Sequence, residues 1–295
     1  MRKETNMFGK KLCINISTGF SVPLTKQPEI IKNSGFDGVF WNPSEIENND
    51  EVFKAVKYAG LEIQSFHAPF GKTADMWLEK GEAAQRAEAE LIASVHTCAK
   101  YDAPIMVSHV YIGFNEKEHI PTDAGLYRYN RVIDEAAKYG IKIAFENTEG
   151  EEYLEALLNN FAGNGNVGFC WDSGHEMCYN GSRDLLAKYG RYLFATHIND
   201  NLGVKDTSGK ITCLDDLHLL PFDGIADWQY NAERLVAASF SGPLTFELKT
   251  KSIPMRHENE RYNQMSAEQF FAEAYVRACR VGTLVIREEQ RRKQR

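Results

Sequence analysis

Eight short apolar runs recur along this 295-residue chain, spaced so that a helix fits between most of them. They are LCINIS (12–17), GVFW (38–41), EIQSFH (62–67), PIMVSH (104–109), IKIAFEN (141–147), VGFCWD (167–172), FATHIN (194–199) and PLTFELK (243–249). Near-continuous apolar runs of this length suit strands buried on both faces, the condition of a parallel sheet. The stretches between them read as amphipathic helices. AAQRAEAELIASVHTCAKYD places Leu91, Ile92, Val95 and Cys98 on one face. GLYRYNRVIDEAAKYG gathers Tyr129, Val132, Ile133 and Ala136, with Gly140 as the C-terminal stop. YLEALLNN, SRDLLAKYG and NAERLVAASF repeat the pattern. Strand alternating with helix predicts the α/β class and a single-domain (β/α)8 TIM barrel over 1–295. A doubly wound open sheet is the alternative, and it would spread the strand ends along an edge.

Composition narrows the partners. No apolar run reaches the roughly 18 residues of a membrane span, and MRKETNMFGKK lacks the apolar core of a secretory signal. The net charge of −7 leans away from nucleic acid, which basic surfaces bind by neutralising phosphates. The basic stretch at 287–295, REEQRRKQR, reads as a solvated helix end or tail. Cys13, Cys98, Cys170, Cys178, Cys213 and Cys279 show no paired spacing. They read as reduced thiols, and the expected location is the cytoplasm. Two long irregular segments are expected, at 201–224 and 251–266. An apolar face on an outer helix would permit a homo-oligomer, and the sequence does not separate such a face from core.

Most of the runs end in a carboxylate or an imidazole. His67, His109, Glu146, Asp172, His197 and Glu247 close strands, His175 follows Asp172 in WDSGH, and Asp216 and His218 stand in DDLHLLP. A parallel barrel gathers its strand ends at one mouth, so these residues would share a pocket. Carboxylates and imidazoles without cysteine suit a divalent ion, with Mn2+ first and Co2+, Zn2+ or Mg2+ as alternatives. Each residue singly has an ordinary reading: a hydrogen-bonded core histidine, a helix N-cap at Asp172, or polar loop groups at Asp216 and His218. Glu146 and Glu247 are harder to explain, because a buried unpaired charge costs on the order of several kcal/mol. Trp41, Phe66 and Trp228, with Phe70 and Phe114, are expected to wall the pocket, with core packing as the alternative for each. His96 in a helix, and His119 and His257 in loops, receive no role.

FEN, WDSGH, HINDN followed by D-x-H, Pro-x-x-Gly-x-x-x-Trp and FELK together resemble the xylose isomerase-like barrel superfamily of sugar and sugar-phosphate isomerases and epimerases. That superfamily includes endonuclease IV, of AP endonuclease family 2, and the resemblance runs from SFHAPF to FELK. It implies that Glu146, Asp172, His197 and Glu247 hold one divalent ion and that His175 contacts substrate. It implies also that His67, His109, His175, Asp216 and His218 are substrate contacts or further zinc ligands, as in the endonuclease. One departure is visible: Phe222 stands in Pro221-Phe222-Asp223-Gly224, where the family often has a second glycine.

The first reading is a metal-dependent sugar isomerase or epimerase acting on a small sugar or polyol. In it a metal-stabilised enediolate forms and Glu146 and Glu247 pass the proton. The alternatives are a trinuclear zinc phosphodiesterase like endonuclease IV and a non-catalytic sugar-binding barrel. A phosphorylated substrate would need a cationic cradle, for which Lys249 and Arg256 are the candidates.

Overall fold

The computed structural model describes residues 9–20, 22–114, 120–253 and 256–294; residues 1–8, His119 and Arg295, named above, lie outside these. All eight expected strands form: β1 (Leu12–Asn15), β2 (Gly38–Trp41), β3 (Glu62–His67), β4 (Ile105–His109), β5 (Lys142–Glu146), β6 (Val167–Asp172), β7 (Leu193–His197) and β8 (Leu244–Phe246). Seven parallel pairings run β7-β6-β5-β4-β3-β2-β1-β8. The circle closes between the two ends: Ile198 N–H donates to Thr245 O at 2.8 Å and Glu247 N–H donates to Ile198 O at 3.2 Å. The open-sheet alternative is thereby excluded.

Ten α-helices follow in chain order among the described residues: α1 (Gln27–Ser34), α2 (Asn49–Tyr58), α3 (Glu82–Lys100), α4 (Asp123–Lys138), α5 (Glu151–Asn160), α6 (Ser173–Cys178), α7 (Leu185–Tyr189), α8 (Trp228–Ala237), α9 (Glu260–Asn263) and α10 (Ala267–Lys293). The apolar faces read from the sequence are the buried ones; Leu91, Val95, Cys98, Tyr129, Val132, Ile133 and Ala136 are all in the core. The long α10 packs on α1 and α8 and touches β1 and β8. Residues 287–293 continue it. Their positive charge is partly offset by buried Glu288, which pairs with Arg291 at 2.6 Å and Arg292 at 2.9 Å.

The strand register decides what reaches the mouth. Side chains two residues apart share a face of a strand. Val107, Ala144, Cys170 and Ala195 pack together as a small buried cluster. Two residues further on, towards the C-terminal ends, stand His109, Glu146, Asp172 and His197, and the ladder pairs His109 with Glu146 and Asp172 with His197. Small residues therefore fill the barrel directly beneath the polar ring.

Strand eight ends earlier than its apolar run suggests. After Phe246 the side chain of Asn15 takes over from the ladder: its Oδ1 accepts from Leu248 N–H at 2.9 Å and its Nδ2 donates to Leu248 O at 3.1 Å. Glu247 thus follows the last residue of β8, its own N–H on Ile198 O and the next residue held by a side chain.

Candidate metal centre

Glu146, Asp172, His197 and Glu247 converge at the C-terminal mouth, with one ligand atom from each lying within 4.8 Å of all the others. His197 Nδ1 lies 3.0 Å from Glu146 and 2.9 Å from Glu247. Glu146 is fully buried and crowded further by His67 Nε2 at 3.2 Å and His109 Nε2 at 3.4 Å. Around this core lie three more groups with ligand atoms equally close, His67–His109–Glu146, His175–Asp216–His218 and, sharing two of the core residues, Glu146–Cys170–His197. All of the acidic and histidine residues singled out in the sequence therefore meet at one place.

Backbone carbonyls orient the imidazoles. The Nδ1 of His67 donates to Ala68 O at 2.7 Å, that of His175 to Asn147 O at 2.9 Å, and that of His218 to Glu247 O at 3.1 Å. In each case Nε2 is left to face a carboxylate. Such fixing of one ring nitrogen by a carbonyl is what outer-shell partners do for ligating histidines. His218 also holds a left-handed backbone, with φ of 47°. Strain of this kind gathers at functional sites.

Asp172 satisfies two readings at once. Its Oδ1 accepts from His175 N–H at 2.7 Å as the N-cap of α6, while its Oδ2 accepts from Asn199 at 2.9 Å. Gly174 keeps α6 close to that amide, since a Cβ there would come within 1.9 Å of Asn199 Oδ1.

The charges are strained against one another. Burial pushes the Asp172 carboxyl up to about 6, with Glu146 and Glu247 adding repulsion and His175 opposing it. Burial also opposes ionisation of Glu146, yet His197 and His109 hold its carboxyl well below the usual carboxylate range. Glu247 is lowered likewise by His197 and His218 against its burial. His175 is disfavoured as a cation by burial but carried up to about 10 by Asp172 and Asp216. Burial pushes His109 down to about 4, so it is neutral at pH 7.

The donor set fits a cation. Three carboxylates, Glu146, Asp172 and Glu247, enclose a point that a single imidazole, His197, shares. His197 Nε2 and His109 Nδ1 are buried without a hydrogen-bond partner. Oxygen-rich sites of this composition suit a hard or borderline divalent ion.

The centre opens into a pocket of about 570 Å³. Trp41 and Phe70 line it, together with Phe40, Phe114 and Tyr179. Phe66 and Trp228 do not, contrary to expectation. Phe66 is buried against Trp41 and Tyr101, and the Trp228 indole donates to Asp200 at 3.0 Å behind the mouth. Arg256 is also withdrawn: its guanidinium is held by Asp215 at 3.1 Å and Glu258 at 2.7 Å. Lys249 lines the pocket, but its ammonium pairs with Asp216 at 3.0 Å. A larger cavity of about 820 Å³ lies at the opposite end of the barrel, between α7 and α8, and none of the ring residues borders it.

Sequence reasoning missed the amides that set the ring. Asn147 donates to Asp172 O at 2.9 Å and to Asn180 at 3.1 Å, and accepts from Asp172 N–H at 2.8 Å. Asp200 accepts from Phe222 N–H, Ala226 N–H and Trp228, which ties the segment after β7 to the Pro221–Trp228 stretch. The signal lay in FEN and HINDN, where Asn147 directly follows the end of β5 and Asp200 comes shortly after the end of β7.

A closed parallel barrel with a carboxylate–imidazole ring able to hold a cation at its mouth defines a class of metal-site (β/α)8 proteins. Within that class, the chain belongs to the xylose isomerase-like TIM barrel family, whose profile matches residues 28–271. Protein y4fM of Sinorhizobium fredii, described as uncharacterized, is 28% identical over 87% of this chain and 88% of its own length. Among solved structures, D-psicose 3-epimerase with D-tagatose from Clostridium cellulolyticum H10 matches with a TM-score of 0.72 at 14% identity, covering 93% of this chain and 99% of that one. IolI protein with a bound zinc atom matches at 0.72 and 19% identity, covering 94% and 99%. L-ribulose 3-epimerase matches at 0.69 and 13% identity, covering 97% of each.

Proposed function

We propose that this protein is a divalent-metal-dependent isomerase or epimerase of a sugar or related polyol. The observation that carries the reading is the convergence of Glu146, Asp172, His197 and Glu247 beneath an open pocket, with Glu247 reaching its lining. The similarity to sugar epimerases supports the same class. A divalent ion held by these four residues would supply positive charge against the negative charge that develops on a substrate oxygen when the adjacent C–H proton leaves.

The chain's own groups then divide the work. Glu247 lines the pocket and takes the proton from the substrate carbon. Glu146 lies deeper, beneath His67 and His109, and returns the proton from that side once the substrate has drawn those two imidazoles, which line the pocket, off its carboxylate. His175 lines the pocket and holds a hydroxyl or carbonyl oxygen, with its orientation fixed through Asn147 O. Phe40 stacks on His197 with centroids 4.5 Å apart and keeps water from that edge of the site.

One observation favours a second reading. The two flanking groups, His67–His109–Glu146 and His175–Asp216–His218, supply the further clusters that a trinuclear phosphodiesterase would need. Against it, Lys249 and Lys251 are the only lysine or arginine side chains in the described pocket lining, with Glu45, Asp216 and Glu247 beside them. A polyanionic backbone would meet no basic track there.

Metal content and C–H exchange together test the proposal. Elemental analysis of protein purified without chelator is expected to give about one Mn2+ or Co2+ per chain. Ketoses and inositol-type keto compounds are then expected to exchange a C–H proton with deuterium from solvent. About three Zn2+ per chain with cleavage of phosphodiesters and no exchange would replace this reading with the second.

A further inference from the structure

The pocket is built in two parts. Its floor is polar, formed by His67, His109, His175, Asp216, His218 and Glu247. Apolar side chains make up much of the remaining wall, with Thr18, Glu45 and Lys251 at its exposed edge. Phe70 stacks on His109 with centroids 4.8 Å apart and still leaves 38% of its surface exposed. On the other arm Tyr179 packs on His175 at 4.9 Å, and Phe114 packs on Tyr179 at 5.3 Å. Ile16, Ile46 and Ile112 complete the upper wall. A volume of about 570 Å³ lies within the roughly 300–1,000 Å³ of pockets that take drug-sized ligands, which is room for two linked rings.

The same lining is poorly suited to phosphate. Lys249 is engaged by Asp216, which leaves exposed Lys251 as the lining cation without a carboxylate partner among the described residues. Two backbone N–H groups on the loop after β1 are also committed: Ser17 N–H donates to Gln27 at 3.1 Å and Gly19 N–H to Ser17 Oγ at 3.0 Å. Among the described residues of the lining an anion would find no cluster of free lysines or arginines.

We infer that the pocket takes a neutral sugar linked to an apolar ring, an aryl glycoside or its keto derivative, with the sugar on the polar floor and the apolar ring between Phe70, Phe114 and Ile46. This rests on the pocket being the sugar site proposed above. Burial of the apolar ring supplies the affinity, and the substituent also covers the mouth against water.

Binding is measured by calorimetry on Mn2+-loaded and on metal-free protein, so that turnover is not the readout. The probes are phenyl and methyl D-glucopyranosides in both anomers, cellobiose, D-fructose and D-fructose 6-phosphate. The phenyl glycoside is expected to bind about tenfold or more tightly than the methyl glycoside, the scale set by burying one ring. Phe114→Ser, and independently Ile112→Thr, should bring that ratio to within about threefold, because each removes apolar wall from the outer part alone. A phenyl-to-methyl ratio near unity, cellobiose above the phenyl glycoside, or D-fructose 6-phosphate well above D-fructose would each overturn the inference. An aryl preference without C–H exchange on any sugar would sink the isomerase reading and leave this one standing. Exchange on free ketoses without an aryl preference would do the reverse.

Discussion

Glu247 and Glu146 carry the same functional group but differ in access, and that difference sets their separate roles. Glu247→Gln keeps a ligand oxygen and removes the base, so deuterium exchange should fall about 10³-fold while part of the metal is retained. Glu146→Gln should also abolish turnover, with a larger metal deficit, because Glu146 belongs to three of the candidate groups. Wild-type exchange in either variant would sink the two-carboxylate mechanism. Proton linkage gives a second test. The Asp172 carboxyl, pushed up to about 6, takes up a proton in the metal-free protein as pH falls through that value. His197 is held protonated well above its ordinary value, with burial opposing and the neighbouring Cys170, Glu146 and Glu247 favouring the cation. A bound cation must displace both protons, so metal affinity should rise with pH, steeply below about 6 and more gently above it while His197 keeps its proton, with proton release on binding. Calorimetry in two buffers of different ionisation enthalpy reads that release, and a pH-independent affinity would contradict it.

Single loop positions matter because each strand end is fixed from outside the ladder. Asn147→Ala removes the amide that joins Asp172 to Asn180, and should cost about 10–100-fold in metal affinity, read by competition with a chelator. Phe222 adopts φ of 74° where glycine would be at ease, and its ring packs on Trp228 and under the Arg280 guanidinium. Both Phe222→Ala and Phe222→Gly lose that packing, but only alanine keeps the backbone strain. The glycine variant should therefore be the more stable of the two by about 1 kcal/mol in urea unfolding. Equal stabilities would mean the turn relaxes once the ring is gone. The Phe222 N–H reaches Asp200 at 2.9 Å, so the turn is held from the segment after β7.

At the scale of the whole molecule, the barrel holds three carboxylates together at its mouth, and a cation that binds only the folded state stabilises the fold. Saturating Mn2+ at about 100 times its dissociation constant should add about 2.7 kcal/mol, visible as a rise in Tm that chelator reverses. The metal-free protein should show its own pH dependence. His175, raised to about 10, contributes stability that is complete below its unfolded value of 6.5 and is lost as pH rises towards 10. Glu146 and Glu247, both lowered, contribute stability above about pH 4.5 that is lost on acidification. Asp172 has the opposite sign and loses stability as pH rises through about 6.

The sequence by itself determined the barrel and the membership of its polar ring. Burial on both faces forces near-continuous apolar strands, and residues at their C-terminal ends have one mouth to share, so both were legible in the order of residues. Only the tertiary structure decided how deep each group lies. Glu146 is sealed under imidazoles while Glu247, beyond the end of its strand, reaches the pocket. Trp228 and Arg256 looked like site residues but turned inward, because Asp200 in one case and Asp215 in the other offered buried partners. Those partners come from distant parts of the chain, and a hydrogen bond between such groups has no local sequence signature until the barrel closes.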